Sequence, residues 1–188
     1  MKCPLDQQAL KHDDIEPGLP AYACPTCEGH WVRFGDYLTW RDQQPGEYPT
    51  TSGLTPSEPT PVIGGEPPKH GSVPRRCADC DYLLTRFRVG HGVSFYLDRC
   101  GNCNGVWLDQ GEWAGLRARG LHDNIHEMFG TAWQQEIRTQ EQRDATDNQF
   151  KRQLGDSYGR VREFGIWLRG NPRMSEVLAY LQWVVRSK

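Results

Sequence analysis

The sequence lacks several features that would assign it to a common functional class. None of its apolar runs approaches the roughly 20 residues that span a bilayer. Neither sign of charge dominates, since 22 basic residues face 24 acidic ones and the formal net charge is −2, so the chain has no general attraction for nucleic acid or an anionic membrane. The C-terminal half contains no Gly-rich phosphate loop, no nucleophile constellation and no clustered carboxylates. We therefore expect a protein that is not an enzyme.

The first residues, MKCPLDQQAL, contain no apolar h-region, so we expect no secretory signal. This favours a reducing cytoplasm, where disulfides are rare. Cysteine is present seven times, and six of the seven lie in Cys-x-x-Cys pairs. In a reducing compartment such pairs favour metal binding over disulfide formation.

The clearest pattern lies in residues 77–113, which contain two of these pairs with nineteen residues between them. A Cys-x-x-Cys pair places both sulfurs on one turn, and two facing turns complete a tetrahedron of thiolates around Zn²⁺. Two strands are predicted between the pairs, at residues 82–89 and 93–99, around the turn Gly90-His91-Gly92. The pattern predicts a zinc ribbon whose ligands are Cys77, Cys80, Cys100 and Cys103.

The remaining cysteines predict a second, less regular copy of this element near the N-terminus. When Cys24-Pro25-Thr26-Cys27 is aligned with Cys100-Gly101-Asn102-Cys103, five flanking positions match in identity or type without a gap. The matched pairs are Gly29 and Gly105, Trp31 and Trp107, Gly35 and Gly111, Asp36 and Glu112, and Tyr37 and Trp113. Upstream, Cys3-Pro4-Leu5-Asp6 replaces Cys77-Ala78-Asp79-Cys80, so Asp6 stands in the place of the fourth cysteine.

The fourth ligand of the N-terminal site has three alternatives. A carboxylate oxygen of Asp6 can bind Zn²⁺ at about 2.0–2.2 Å, beside the thiolates of Cys3, Cys24 and Cys27. His12 and His30 are rival ligands, because imidazole also suits zinc. The third alternative is a degenerate ribbon that binds zinc weakly or leaves the site empty. We expect one zinc ion in the C-terminal site and a second in the N-terminal site.

The pattern Cys-x-x-Cys, a hairpin, and then Cys-x-x-Cys-x-Gly-x-Trp-x-Asp-x-Gly-Glu resembles a bacterial zinc-ribbon family named after the ribbon of general transcription factor IIB. In this chain the second half of the pattern runs without a gap from Cys100 to Glu112. The resemblance implies a zinc-binding ribbon with no assigned reaction. The N-terminal copy departs from the pattern at Asp6 and at Arg33, which stands where the other copy has Asp109.

The residues after the second Cys pair have structural explanations of their own. Asp109 to Glu112 fits a capping box, in which the Asp109 side chain is the N-cap and Glu112 the acid three residues on. Gly105 is expected to supply a backbone angle or a close approach. We expect Trp107 to pack against the hairpin; its alternative role is to stack on a nucleic-acid base.

These patterns divide the chain into four regions and predict a small metal-stabilised α+β protein. Its parts are two zinc-ribbon β-hairpins, each followed by a short helix, and an α-helical C-terminal region. Residues 41–76 carry eight prolines and no apolar period, which predicts a flexible linker. The predicted boundaries are zinc ribbon 1 at 1–40, the linker at 41–76, zinc ribbon 2 at 77–120 and the helical region at 121–188.

Three functional classes are compatible with this sequence. The first is a zinc-stabilised scaffold that binds a protein partner. The sequence gives neither the identity of that partner nor the oligomeric state of this chain. The second is a nucleic-acid-binding, transcription-associated protein that uses Arg75, Arg76, Arg86 and Arg88 beside the aromatic residues of the second ribbon. The third is a metal-dependent enzyme or metal sensor that uses the three-cysteine site. No membrane partner is expected, because the last helix lacks a lysine-rich polar face.

Overall fold

The computed structural model describes residues 1–44 and 74–187, and six strands in these ranges form one antiparallel sheet. In chain order the strands are β1 (Lys11–Glu16), β2 (Leu19–Ala23), β3 (His30–Val32), β4 (Leu84–Gly90), β5 (Val93–Cys100) and β6 (Val106–Leu108). Their order across the sheet is β1-β2-β3-β6-β5-β4. The sheet therefore joins strands from residues 3–37, called here the first segment, to strands from residues 77–113, called the second segment.

The long hairpin of the second segment forms where the sequence predicts two strands. Strands β4 and β5 pair in antiparallel register, with Phe87 opposite Leu97. The turn between them requires positive φ at three consecutive residues, namely +70° at Gly90, 49° at His91 and +82° at Gly92. Glycine adopts such angles without steric cost, which explains its presence on both sides of His91. The prediction of two strands around this turn is confirmed.

The two short strands β3 and β6 join the segments at the centre of the sheet. They pair antiparallel, with Trp31 directly opposite Trp107, His30 opposite Leu108 and Val32 opposite Val106. The predicted linker between the segments falls largely on residues outside the described ranges, and only its two ends are described. The sheet therefore continues from one segment into the other.

A helix follows the central strand of each segment. The helices are α1 (Phe34–Asp42), α2 (Glu112–Ala118), α3 (Ile125–Met128), α4 (Thr131–Leu154), α5 (Tyr158–Arg169) and α6 (Met174–Arg186), with short 3₁₀ turns at His122–Asn124 and Gly155–Ser157. The capping-box prediction is correct for Glu112 and wrong for Asp109. The Glu112 carboxylate accepts a hydrogen bond from the Asp109 amide, but Gly111 is the N-cap of α2 and the Asp109 side chain bonds elsewhere.

The described chain divides into two compact units, residues 1–137 and residues 138–188. The core of the first unit is a continuous apolar cluster under the sheet, to which both segments and the helices up to the start of α4 contribute. Among its buried members are Leu19, Tyr37, Trp40, Leu97, Leu116, Met128 and Trp133. The sheet and the following helices thus hold the two segments in one unit.

The second unit is helical, and Leu168 is its single buried side chain among the described residues. The sequence is polar almost all round from residue 138 to residue 149, and α4 continues through this stretch to Leu154. The side chains of α4 after Ile137 are exposed except that of Glu141, which is half-buried. No helix of the described ranges is long and apolar enough to cross a membrane.

Candidate metal centres

Four turns with the same backbone geometry present the candidate metal ligands. Each turn begins at a cysteine whose carbonyl accepts a hydrogen bond from the amide four residues on, at 3.1 Å in every case. The fourth residue after each first ligand has positive φ although it is not glycine: Gln7 (62°), Glu28 (56°), Asp81 (58°) and Asn104 (63°). The amide of each first cysteine also donates to the carbonyl five residues on, at 2.7–2.9 Å. Asp6 therefore occupies the same position on its turn as Cys27, Cys80 and Cys103 do on theirs.

The turns meet in two groups of four side chains. Site 1 contains Cys3, Asp6, Cys24 and Cys27, and site 2 contains Cys77, Cys80, Cys100 and Cys103. Within each group one ligand atom per residue lies within 4.8 Å of the others, so each group can hold a metal ion. The structure thus brings together all eight side chains that the sequence nominated as ligands.

The distances between sulfurs distinguish a metal site from a disulfide. The Sγ atoms of Cys77 and Cys103 are 3.4 Å apart, those of Cys80 and Cys100 are 3.5 Å apart, and those of Cys3 and Cys27 are 3.6 Å apart. A disulfide requires about 2.05 Å. Four thiolates around a tetrahedral ion at about 2.3 Å would be separated by about 3.8 Å. The observed spacing is close to that of a tetrahedral metal site, and all seven cysteines are free.

Backbone amides point at the sulfur of the first cysteine in three of the turns. Leu5 donates to Cys3 at 3.3 Å, Asp79 donates to Cys77 at 3.3 Å, and Asn102 donates to Cys100 at 3.4 Å. Such donors stabilise negative charge on a ligating thiolate. Burial acts in the opposite direction and raises the pKa of the Cys3 and Cys77 thiols. A bound cation would therefore supply what these buried sulfurs need in order to ionise.

Asp6 lies in site 1, whereas His12 and His30 lie outside both groups of the described chain. The Oδ2 atom of Asp6 is 3.2 Å from the sulfur of Cys24, and the Oδ1 atom of Asp6 accepts a hydrogen bond from the Gln8 amide at 3.0 Å. Burial would raise the pKa of the Asp6 carboxyl, but hydrogen bonds from the Gln8 amide and from the cysteines of the site outweigh it and lower that pKa. The carboxylate is thus in its metal-binding form. The Nε2 atom of His30 lies instead 3.8 Å from a carboxylate oxygen of Asp13.

The two sites share an apolar cluster built on Trp31 and Trp107. Both tryptophans are fully buried, and they belong to one cluster with Cys3, Cys24, Cys77 and Cys100. Each indole lies against the glycine of the other segment, Trp31 over Gly105 and Trp107 over Gly29. A Cβ atom at either glycine would fall closer to the indole ring than the 3.0 Å that real contacts reach. The glycines are therefore needed for close approach, and their φ angles are not positive.

The polar contacts of the two tryptophans differ. Trp31 donates from Nε1 to Asp79 at 3.0 Å, and Asp79 lies between the two cysteines of a site 2 turn. Arg33 binds both carboxylate oxygens of the same aspartate, at 3.0 and 3.1 Å, so its guanidinium also connects the first segment to site 2. Trp107 donates instead to Asp109 of its own segment at 2.7 Å. One of the two turns of site 2 is thus anchored directly by the first segment.

The four arginines nominated for nucleic-acid binding occupy different environments. Arg75 is 5% exposed, and its guanidinium contacts Asp98 and Asp109. Arg86 pairs with Asp98 at 3.0 Å, and the exposed Arg76 pairs with Asp81 at 3.3 Å. The guanidinium of Arg88 lies 5.7 Å from the centre of the Tyr96 ring. Arg75, Arg76 and Arg86 thus pair with aspartates of the chain, and the role of the four arginines toward nucleic acid stays a prediction.

Sequence reasoning missed the partner of each central tryptophan. It matched Trp31 with Trp107 and Gly29 with Gly105 as equivalent positions, but each tryptophan packs on the glycine of the other segment. The Gly-x-Trp spacing, which occurs in both segments, could have indicated this contact. When the two tryptophans pair across antiparallel strands, each lies beside the glycine that precedes the other tryptophan by two residues.

Comparisons with protein-family models, curated proteins and solved structures find no match to this chain.

Proposed function

We propose that this chain is a zinc-binding protein with two zinc ribbons whose metal sites are structural, and that it acts as a scaffold for a protein partner. The observation that carries the proposal is the set of four equivalent turns, which present eight side chains as two groups of four ligands. Three or four thiolates around one ion select Zn²⁺ over magnesium or calcium, which prefer oxygen ligands. The bound ion would supply folding free energy to turns that have few apolar side chains of their own.

The resemblance to the zinc-ribbon family named after transcription factor IIB belongs to the same proposal. It is supported by the position of Trp107 and Gly105 directly beyond the second turn of site 2, where the pattern has them. The first segment is then a second copy in which Asp6 replaces a cysteine. Under this interpretation the two ribbons share a sheet, and the metal sites stabilise a common unit.

A structural role is favoured because each group already contains four ligands. A catalytic zinc site keeps one coordination position open for water or substrate, whereas a structural site is closed by four side chains. This supports a scaffold over an enzyme or a metal sensor. Substitution of Co²⁺ for the metal tests the distinction, because the visible spectrum of a closed tetrahedral site should not change when imidazole or cyanide is added. A spectral change that saturates with the added ligand would contradict the structural role and favour the enzyme hypothesis.

Metal content per chain tests the number of sites. We expect two zinc ions per purified chain, and we expect Asp6→Ala and Cys80→Ala each to retain one ion firmly. A stoichiometry of one in the unsubstituted chain would remove Asp6 as a ligand.

The nucleic-acid hypothesis has a separate test, which is binding to single- and double-stranded DNA at low salt. Binding that falls steeply as salt rises would support it, and no binding at low salt would end it.

A further inference from the structure

Helices α5 and α6 expose an unusual amount of apolar surface. Of the seventeen large hydrophobic side chains that are exposed among the described residues, eleven lie on these two helices. They include Trp167, Tyr180 and Trp183, which are 53%, 63% and 63% exposed, and Val185, which is 78% exposed. A concentration of exposed large apolar side chains on two helices is typical of a surface that another partner covers.

The apolar arc of α6 is wider than one packed neighbour requires. Met174, Leu178, Leu181 and Val185 follow one stripe of the helix, and Tyr180 and Val184 extend it on one side. The polar positions of α6 are limited to Ser175, Glu176, Gln182 and Arg186. A surface helix that packs against one neighbour has an apolar stripe at least about 100° wide, and a helix that is apolar over a wider arc is covered on more than one side. A fluid acyl layer covers a wider arc without requiring a complementary shape.

The charge of the same region is opposite to that of the rest of the chain. Residues 158–186 contain five arginines and two glutamates, which gives a net charge of +3, whereas the whole chain has a formal net charge of −2. The remaining residues therefore carry −5. The arginines are Arg160, Arg162, Arg169, Arg173 and Arg186. A basic, aromatic-rich helix pair on an otherwise acidic chain is complementary to an anionic surface.

We infer that α5 and α6 form a docking surface for the headgroup region of a membrane that contains anionic lipids. The apolar side chains would enter the boundary between headgroups and acyl chains, where tryptophan and tyrosine are favoured. The arginines would bind lipid phosphates, and their planar guanidinium groups do so through paired hydrogen bonds. The inference is independent of the metal sites, which lie in the first unit.

This inference departs from the expectation that no membrane is involved. That expectation depended on the lack of lysine in the last helix. Arginine supplies the same charge, and the arginines are distributed over both helices and the turn between them. The exposed fractions of the apolar side chains, which the sequence alone does not give, supply the second half of the argument.

Flotation of the zinc-loaded full chain with lipid vesicles tests the inference. We compare vesicles of pure phosphatidylcholine with vesicles that also contain phosphatidylglycerol, at low and at physiological salt. The fraction that floats with the anionic vesicles should be about tenfold higher than with the neutral ones and should fall as salt rises. Leu181→Glu/Val185→Glu should reduce flotation about tenfold or more, because it places two charges in the apolar arc.

Two further variants separate docking from a loss of folding. Phe150→Glu changes a side chain of α4 that is 51% exposed, and flotation should be unchanged. Arg160→Gln/Arg162→Gln keeps the apolar arc and should remove most of the preference for anionic vesicles. Far-UV circular dichroism reports whether each variant keeps its helix content. If Leu181→Glu/Val185→Glu loses helix content, the arginine variant decides the test.

Three results would overturn the inference. The first is the absence of flotation of the unsubstituted chain at low salt. The second is equal flotation with neutral and anionic vesicles, or flotation that neither pair of substitutions reduces. The third is a dimer in solution, measured by light scattering, that Leu181→Glu/Val185→Glu converts to a monomer while no vesicles bind. That last result would show that a second copy of the chain covers this surface.

Discussion

The first and second segments contain the same type of turn and belong to the same sheet, but they differ in the side chains at three equivalent positions. Site 2 has four cysteines, and site 1 has an aspartate in place of the fourth. Leu5 occupies the position on its turn that Asp79 occupies in the second segment, and Arg33 stands where the second segment has Asp109. The apolar contacts are reciprocal, because each tryptophan lies on the other segment's glycine.

The polar side chains that differ between the segments pair with each other where β3 meets β6. Arg33 and Trp31 of the first segment both bind Asp79 of the second. The first segment has Leu5 at the position equivalent to Asp79, and a leucine side chain cannot accept a hydrogen bond from Trp107. Asp109 of the second segment instead accepts hydrogen bonds from Trp107 and from Arg75. An aspartate at position 33 would place two carboxylates against each other. The side chains at positions 31 and 33 of the first segment therefore complement Asp79 of the second segment.

The largest expected difference between the segments is in how firmly each site would hold the zinc ion proposed for it. Structural zinc contributes about 10–16 kcal/mol of binding free energy in small zinc-binding peptides, and soft thiolates bind it better than a carboxylate does. Site 1 should therefore release its ion before site 2 when a chelator is added in steps. Asp6→Cys should raise the affinity of site 1 at least about tenfold, which corresponds to about 1.4 kcal/mol.

The measurement is zinc release, followed with a colorimetric chelator, together with the charge-transfer absorption of the Co²⁺-substituted chain. That absorption should become stronger in Asp6→Cys, because a sulfur replaces an oxygen in the coordination sphere. Release of both ions in a single step from the unsubstituted chain would contradict the difference between the sites. Cys80→Asp is the matched control, since it should make site 2 resemble site 1.

The next largest effect concerns the reciprocal packing. Trp31→Ala and Trp107→Ala should each lower the free energy of unfolding by about 3–5 kcal/mol, because each removes a fully buried indole. Chemical denaturation of the zinc-loaded chain gives this value. Trp183→Ala removes an indole that is 63% exposed and should change stability little. If Trp31→Ala and Trp107→Ala lower the free energy of unfolding by unequal amounts, the two tryptophan–glycine contacts have the same geometry but contribute differently to stability.

A smaller effect is expected at the glycines that receive the indoles. Gly29→Ala and Gly105→Ala should each cost about 1–3 kcal/mol, because the added methyl group collides with a buried ring. Gly35→Ala is the control, since no atom lies within 4 Å of the added Cβ and its site is within α1, where alanine is favoured over glycine. Thermal unfolding should rank Gly35→Ala above the unsubstituted chain. A destabilised Gly35→Ala together with a neutral Gly105→Ala would refute the packing argument.

The sequence predicted local features better than the contact between segments. The β4–β5 hairpin and the grouping of the nominated ligands depend on short-range patterns, namely alternation, a glycine turn and the Cys-x-x-Cys spacing. The pairing of β3 with β6 could not be read in this way, because strands of three residues have no period and their paired residues lie 74 to 78 positions apart in the chain. Arg75 was nominated for nucleic-acid binding because the sequence does not show that Asp98 and Asp109 contact its guanidinium.

The smallest expected effect tests the polar contact that is present on one side only. Asp79→Ala removes the acceptor of Trp31 Nε1 and the partner of Arg33, and it should cost about 1 kcal/mol, since Arg33 is half exposed and the ion pair is screened by solvent. Asp81→Asn is the control. Asp81 is two residues further along and pairs with an exposed arginine, and asparagine tolerates its φ of 58° as aspartate does, so no resolvable change is expected. The double variant Arg33→Ala/Asp79→Ala should be less destabilised than the sum of the single variants, because the two residues share one interaction. Additive losses would show that the Arg33–Asp79 pair contributes nothing, and the effect of Asp79→Ala would then come from the lost acceptor of Trp31 or from its own turn.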